Sequence, residues 1–204
     1  MKIQNFNGDV EAWEKARNGK ITGTKLKDII SLRDSTTKKK GFYQIIAEKV
    51  AIPNENYENP MERGKWLESE AIKRFEKETK KKVNTDLVLW ISDDNEDIAI
   101  SPDGIIGKTE AIEVKCLNTA SHIEALLTNK VPSEHDFQIL QYFIVNENLK
   151  TLYFAFYDDR IPAKDFFYLT ISRKDLEADI EKYKAIEIET LREIKKIVKT
   201  LIKF

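Results

Sequence analysis

The chain has 204 residues, the length of one large domain. Its 34 Lys and Arg against 35 Asp and Glu leave a formal net charge of -1. That excludes a polycationic nucleic-acid coat but leaves room for a local basic groove. A single cysteine, Cys116, excludes an intramolecular disulfide framework and any four-cysteine zinc or iron–sulfur site.

The first third reads as helical: a short amphipathic stretch around Trp13, a second at 24–32 and a third at 42–50, with a basic loop at 34–40 between the last two. Asn59-Pro60 reads as an N-cap followed by proline at the first helical position. The helix it opens is predicted to reach about Thr79, with Leu67, Ala71 and Phe75 on one face. The pattern then changes period. Segments 87–91, 97–101 and 111–116 are short, rich in branched residues and bounded by polar turns, and are predicted strands. Ser133 with Asp136 reads as a capping box opening a helix at 134 that runs to about 146. Strands at 151–157 and 166–171 follow. A long terminal helix behind Ser172 and Asp175 carries Leu176, Ile180, Tyr183, Leu191, Ile194 and Leu201 at helical spacing. These elements predict a single mixed α/β (α+β) domain over 1–204. No apolar run approaches the roughly 20 residues of a membrane span, and residues 1–10 lack a signal-peptide apolar stretch, so a cytoplasmic protein without a membrane part is expected.

The most informative stretch is Ser101-Pro102-Asp103-Gly104 followed by Glu113-Val114-Lys115. In a strand, Glu113 and Lys115 share one face while Ile112, Val114 and Cys116 take the other. The apolar set is expected in the core, leaving the acid and the base beside an Asp from a neighbouring strand end. Gly104 and Gly107 are expected to supply the turns that let those strands pair. Two carboxylates and a lysine suit phosphodiester cleavage: hard oxygens bind Mg²⁺ or Mn²⁺, which neutralises charge on the phosphate and acidifies water. Lys115 would hold the attacking hydroxide or stabilise charge on phosphorus. The bland alternative is a surface Glu–Lys pair beside an Asp in a turn.

These residues resemble the PD-(D/E)xK nuclease core, in the variant of lambda exonuclease and the YqaJ-type viral recombinases. Three more segments match in the right order: Trp13, Arg17 and Ile21-Thr22-Gly23-Thr24; Gly64 to Ala71 around Glu68; and Gln138 after the Glu113–Lys115 strand. The resemblance spans about residues 13 to 145. It implies a restriction-endonuclease-like core: a central mixed sheet flanked by helices, with N-terminal helices and a long C-terminal helix. It implies Glu68, Asp103, Glu113, Lys115 and Gln138 as catalytic residues, and Glu68, Asp103, Glu113 and Val114 as contacts to Mg²⁺, for which Mn²⁺ substitutes. Arg17, Thr22, Thr24 and Ser101 are implied as a pocket for a terminal 5′-phosphate. The chain has Leu117 where the family often has proline, and Thr24 where serine is common.

The activity implied is processive 5′-to-3′ degradation of double-stranded DNA ends in phage-type recombination, by a homotrimer working with a single-strand annealing protein. An endonuclease or repair nuclease on the same core, a DNA-binding relic without turnover, and an interaction protein built on the terminal helix are the competing readings. Other signals are set aside. Gly104 to Thr109 lacks the spacing of a phosphate-binding loop, Cys116, His122 and His135 match no common zinc site, and Asp158-Asp159 reads as a turn. Among Lys38-Lys39-Lys40, Lys80-Lys81-Lys82 and the Arg192, Lys195, Lys196, Lys199 set, one or two clusters are expected to face DNA.

Overall fold

Leu67, Ala71 and Phe75, each four residues after the last, are completely buried, and they fix how the first described helix lies on the sheet. The computed structural model describes residues 60–95 and 97–201, together with Asp9, Glu11, Ala12, Lys15, Tyr43 and Ala47; side chains at 60–65, 193–195 and 197–201 fall outside that set. Of the predicted helix around Trp13, Glu11, Ala12 and Lys15 are described and helical, while the predicted helix at 24–32, the loop at 34–40 and the N-cap Asn59 lie outside the described residues. Of the predicted 42–50 helix, Tyr43 and Ala47 are helical and buried against Ala120, Ile123 and Ile161.

Helix α1, Pro60–Thr79, starts on its proline as expected and carries Lys77 in its last turn, where a cation suits the helix dipole. It stops where Lys80 turns left-handed at φ 60° and its N–H reaches the Glu76 carbonyl at 2.9 Å. Strands β1 (Trp90–Ile91) and β2 (Ala99–Ile100) form a small antiparallel pair. They are shorter than the predicted 87–91 and 97–101. Leu87 is 98% exposed and Leu89 61%, so the branched residues there have no sheet face to cover.

The main sheet runs β3-β4-β5-β6, with β3 at Gly104–Ile106, β4 at Glu110–Lys115, β5 at Thr151–Tyr157 and β6 at Phe166–Ser172. The outer pairs are antiparallel, and β4 pairs parallel with β5, Glu113 beside Phe154. A parallel pair needs a crossover. Here it is made by α2 (Thr119–Thr128) and α3 (Asp136–Val145). Helix α4, Glu177–Leu201, closes the chain as predicted. Ala71, Ile72 and Phe75 of α1 pack on one face of the sheet with Ile112, Val114 and Ala155. On the other, Leu140, Tyr142 and Phe143 of α3 and Ile180 of α4 pack with Ala111, Phe154 and Phe156. The expectation of a mixed sheet flanked by helices holds.

Three local readings are corrected. Helix α2 was not expected; its signal is Asn118, whose side chain accepts from the Ser121 N–H, with Asn129 left-handed at the exit. The Ser133 capping box does not form. Ser133–His135 is a single 3₁₀ turn, and α3 starts at Asp136 without a side-chain cap. Gly107 does turn at φ 59°, but Gly104 is no turn residue: it pairs with Ile112 in β3, and a Cβ there would lie 2.3 Å from Val83 Cγ1. Glycine is required at 104 for close approach. Among the described residues, no helix is long and apolar enough to cross a membrane.

Candidate active site

Strand β4 delivers two of the predicted groups. Its alternation sends Ile112 and Val114 under α1, as expected, and turns Glu113 and Lys115 to the α3 side. That side is closed, so Glu113 is only 2% exposed. A buried carboxylate is costly unless its oxygens are bonded. Oε1 accepts from Gln138 Nε2 at 2.7 Å and contacts Lys115 Nζ at 2.7 Å, while Oε2 accepts from the Tyr142 hydroxyl at 2.5 Å. Gln138 and Tyr142 stand one turn apart on α3, so a single helix face supplies both neutral donors. Gln141 points away and bonds Glu187.

Asp103 arrives just ahead of β3. Its Oδ2 accepts the Val114 N–H at 2.7 Å. Burial and the nearby Glu113 charge push its carboxyl up to about 7, against the opposite pull of the Val114 N–H. Glu68, half-buried one position after Leu67 on α1, is also raised, first by burial and then by Glu113, with Lys115 pulling it down. The Tyr142 hydroxyl is held far above its ordinary range by burial and by Glu113, so it stays a donor. Burial, then the charge of Lys115, lowers His135, whose ring lies 5.6 Å from that of Phe154.

Glu68, Asp103, Glu113, Val114, Lys115 and Cys116 line one cavity of about 220 Å³. The four acid and base groups singled out in the sequence thus meet, and Gln138 backs them through Glu113. A larger groove of about 790 Å³ between α3, β6 and α4 contains none of them. Three ionised carboxylates around one ammonium leave two negative charges uncompensated; burial first, and the Glu113 charge second, raise Asp103 and Glu68. An all-oxygen donor set with that deficit fits a hard divalent cation. Val114 can add only its carbonyl, because its N–H serves Asp103. Among the described residues, no three His, Cys, Asp or Glu side chains already stand at metal-ligand spacing.

Arg17, Thr22 and Thr24 lie outside the described residues. Ser101 is exposed and its hydroxyl donates to the Val88 carbonyl at 2.6 Å. The basic clusters are partly answered by acids: Lys81 meets Glu110 at 2.6 Å and Arg192 meets Glu189 at 3.1 Å. His122, set aside as a zinc ligand, is buried with Nε2 3.0 Å from the Lys164 carbonyl. Asp158 does open a turn, but it is also fully buried against Arg160 at 2.7 Å. Arg160 donates in addition to the Leu117 carbonyl at 3.2 Å, tying the exit of β4 to the exit of β5. Tyr142 was missed, although its place four residues after Gln138 was the available signal.

Residues 12–148 match the YqaJ-like viral recombinase domain. The solved alkaline exonuclease LHK-Exo from Laribacter hongkongensis is 29% identical to the chain, over 93% of it and 96% of its own length, with a TM-score of 0.61. LHK-Exo in complex with dAMP is 28% identical over 95% of the chain and 100% of its own, with a TM-score of 0.57. No curated protein sequence matches. The domain match and these exonuclease structures support a nuclease function for the chain. Since the matched segment takes in Glu68, Asp103, Glu113, Lys115 and Gln138 and covers well over half of the 204 residues, the chain belongs to the YqaJ-like viral recombinase family.

Proposed function

We propose that the chain is a divalent-metal-dependent deoxyribonuclease that degrades one strand of double-stranded DNA from its 5′ ends. The observation that carries this reading is the convergence of Glu68, Asp103, Glu113 and Lys115 on one cavity. Glu68, Asp103, Glu113 and the Val114 carbonyl would hold Mg²⁺ or Mn²⁺, which supplies charge neutralisation on the scissile phosphate and a more acidic water. The chain's own residues do the positioning. The Val114 N–H fixes Asp103, Gln138 and Tyr142 fix Glu113, and the Lys115 ammonium donates to the attacking oxygen or to a phosphate oxygen.

Arg17, Thr22, Thr24 and Ser101 complete the proposal as the 5′-phosphate pocket, a guanidinium with three hydroxyls being suited to that group. Processive action by a homotrimer, a partnership with a single-strand annealing protein and a cytoplasmic setting belong to the same reading, by family analogy. The test is end-labelled linear duplex against closed circular duplex, each with Mg²⁺, Mn²⁺ or chelator. Loss of the linear form alone, slower after removal of the 5′-phosphate, is expected. Cutting of circles makes the protein an endonuclease; binding with no cutting under either metal removes the enzyme reading.

A further inference from the structure

Glu113 is held from two sides. Gln138 and Tyr142 hold it from α3, and neither lines the cavity, whereas Lys115 lines the cavity beside it. On Oε1 the Gln138 amide donates at 2.7 Å, and the Lys115 ammonium forms an ion pair at the same distance. The cavity side of this carboxylate is therefore faced by the chain's own cation. The ion pair is well screened from water, the Lys115 side chain being 24% exposed and that of Glu113 3%. The two ends of the contact differ in freedom. Gln138 sits on a packed helix, while the Lys115 ammonium ends a flexible stem and is the partner able to leave.

We infer that Lys115 is a built-in counter-cation for Glu113, which an incoming divalent cation displaces from Oε1, so that metal loading and release of the lysine into the cavity are one event. This rests on the proposed metal-dependent function. Its physical basis is the charge balance already described. When no metal is bound, the ammonium lowers the repulsion among Glu113, Asp103 and Glu68; a doubly charged ion does so better, and both need the same oxygen. Glu113 keeps its two donors from α3 throughout, so the carboxylate stays aimed while its third partner changes. The lysine freed in this way is available to a phosphate oxygen only once the metal is in place. A site lacking its metal therefore presents no loose ammonium to a DNA backbone.

The experiment is calorimetric titration of Mn²⁺ into the DNA-free protein at pH 8.5, comparing the full-length chain with Lys115→Met. Removing the competitor is expected to tighten Mn²⁺ binding by roughly tenfold. Equal or weaker binding in the variant overturns the exchange but not the proposed function; failure of Mn²⁺ to bind either protein overturns the proposed function as well. A second measurement needs no variant. Amine-reactive labelling of the unmodified chain, read by peptide mass spectrometry, is expected to modify Lys115 several-fold faster with Mn²⁺ than with chelator. Labelling that is unchanged or slower, with Mn²⁺ bound, overturns the inference.

Discussion

The Tyr142 hydroxyl and the Glu113 carboxylate, 29 residues apart in the chain and both buried, share a hydrogen bond of 2.5 Å. Tyr142 also packs edge-on to Trp90 at 6.1 Å, so the ring that carries the donor is itself fixed in the core. Tyr142→Phe keeps the packing and leaves Oε2 without this donor. We expect a loss of about 1–3 kcal/mol in urea unfolding, because the cost is that of a buried acceptor left unmade. Cleavage should fall with it, and Gln138→Ala combined with Tyr142→Phe should cost Glu113 its aim altogether. Additive effects in that double-mutant cycle would show the two donors to act independently.

Asp103 sets a pH dependence of unusual sign for a carboxylate. Its folded value, near 7, lies above the ordinary 3.8, so the folded metal-free chain binds more protons than the unfolded chain in between. Stability is therefore lost as pH rises from about 4 to about 7 and levels off above, by at most about 4 kcal/mol. Glu68 is shifted in the same direction and adds to the trend. Asp103→Asn should flatten the slope and raise Tm at pH 8 in chelator, while abolishing metal-dependent cleavage. Thermal melts of both proteins across pH 4–8.5 check this; a wild-type Tm that climbs over pH 4–7 in chelator contradicts it.

Gly104 opens β3 and Gly107 follows it, and the two answer to different constraints. At Gly104 a Cβ would lie 2.3 Å from Val83 Cγ1 and 2.8 Å from Ile112 Cγ2, so Gly104→Ala must displace these side chains or the strand start next to Asp103. We expect about 1–3 kcal/mol of destabilisation and a larger drop in cleavage than stability alone explains. At Gly107 nothing lies within 4 Å, and only the φ of 59° opposes a side chain. Gly107→Ala should cost about 1 kcal/mol and leave turnover near wild type. Denaturant melts with cleavage assays below the transition separate the two.

Arg173 stabilises the helix that carries Gln138 and Tyr142 from its far end. Its guanidinium donates to the carbonyls of Phe143 at 2.5 Å, Asn146 at 2.8 Å and Leu149 at 2.8 Å, just where α3 stops and its carbonyls lack partners. Arg173→Ala is expected to cost about 2–3 kcal/mol, the range of charge-assisted bonds lost at a partly buried site. Hydrogen exchange should speed up across 142–149 before the rest of the sheet. Arg173→Lys, with one point charge in place of a fork, should recover less than half of the loss.

The sequence was most legible where one periodicity dominated. Leu67, Ala71 and Phe75 announced α1 and its buried stripe, and the alternation in β4 placed Val114 and Glu113 on opposite faces. The cavity acids were legible because their order along the chain matched a known combination. What stayed hidden depended on tertiary closure. Nothing local says that α3 covers Glu113, so Tyr142 went unnoticed. Asp158-Asp159 shows its turn locally, but the buried pairing of Asp158 with Arg160 depends on the Leu117 loop folding in from elsewhere. At Leu87 and Leu89 a correct strand-like pattern found no neighbouring face to cover, and the ladder stopped at Trp90.

The parallel register of β4 and β5 has a kinetic corollary. Glu113 leaves the ribosome 25 residues before Gln138 and 41 before its β5 neighbour Phe154, so its strand partner and its donors all arrive late. Until then the strand bearing the acid has only β3 to pair with, and contacts of such sequence separation are slow to close. On the proposed function, the site around Glu113 is therefore completed only after β5 has been made, a delay imposed by topology.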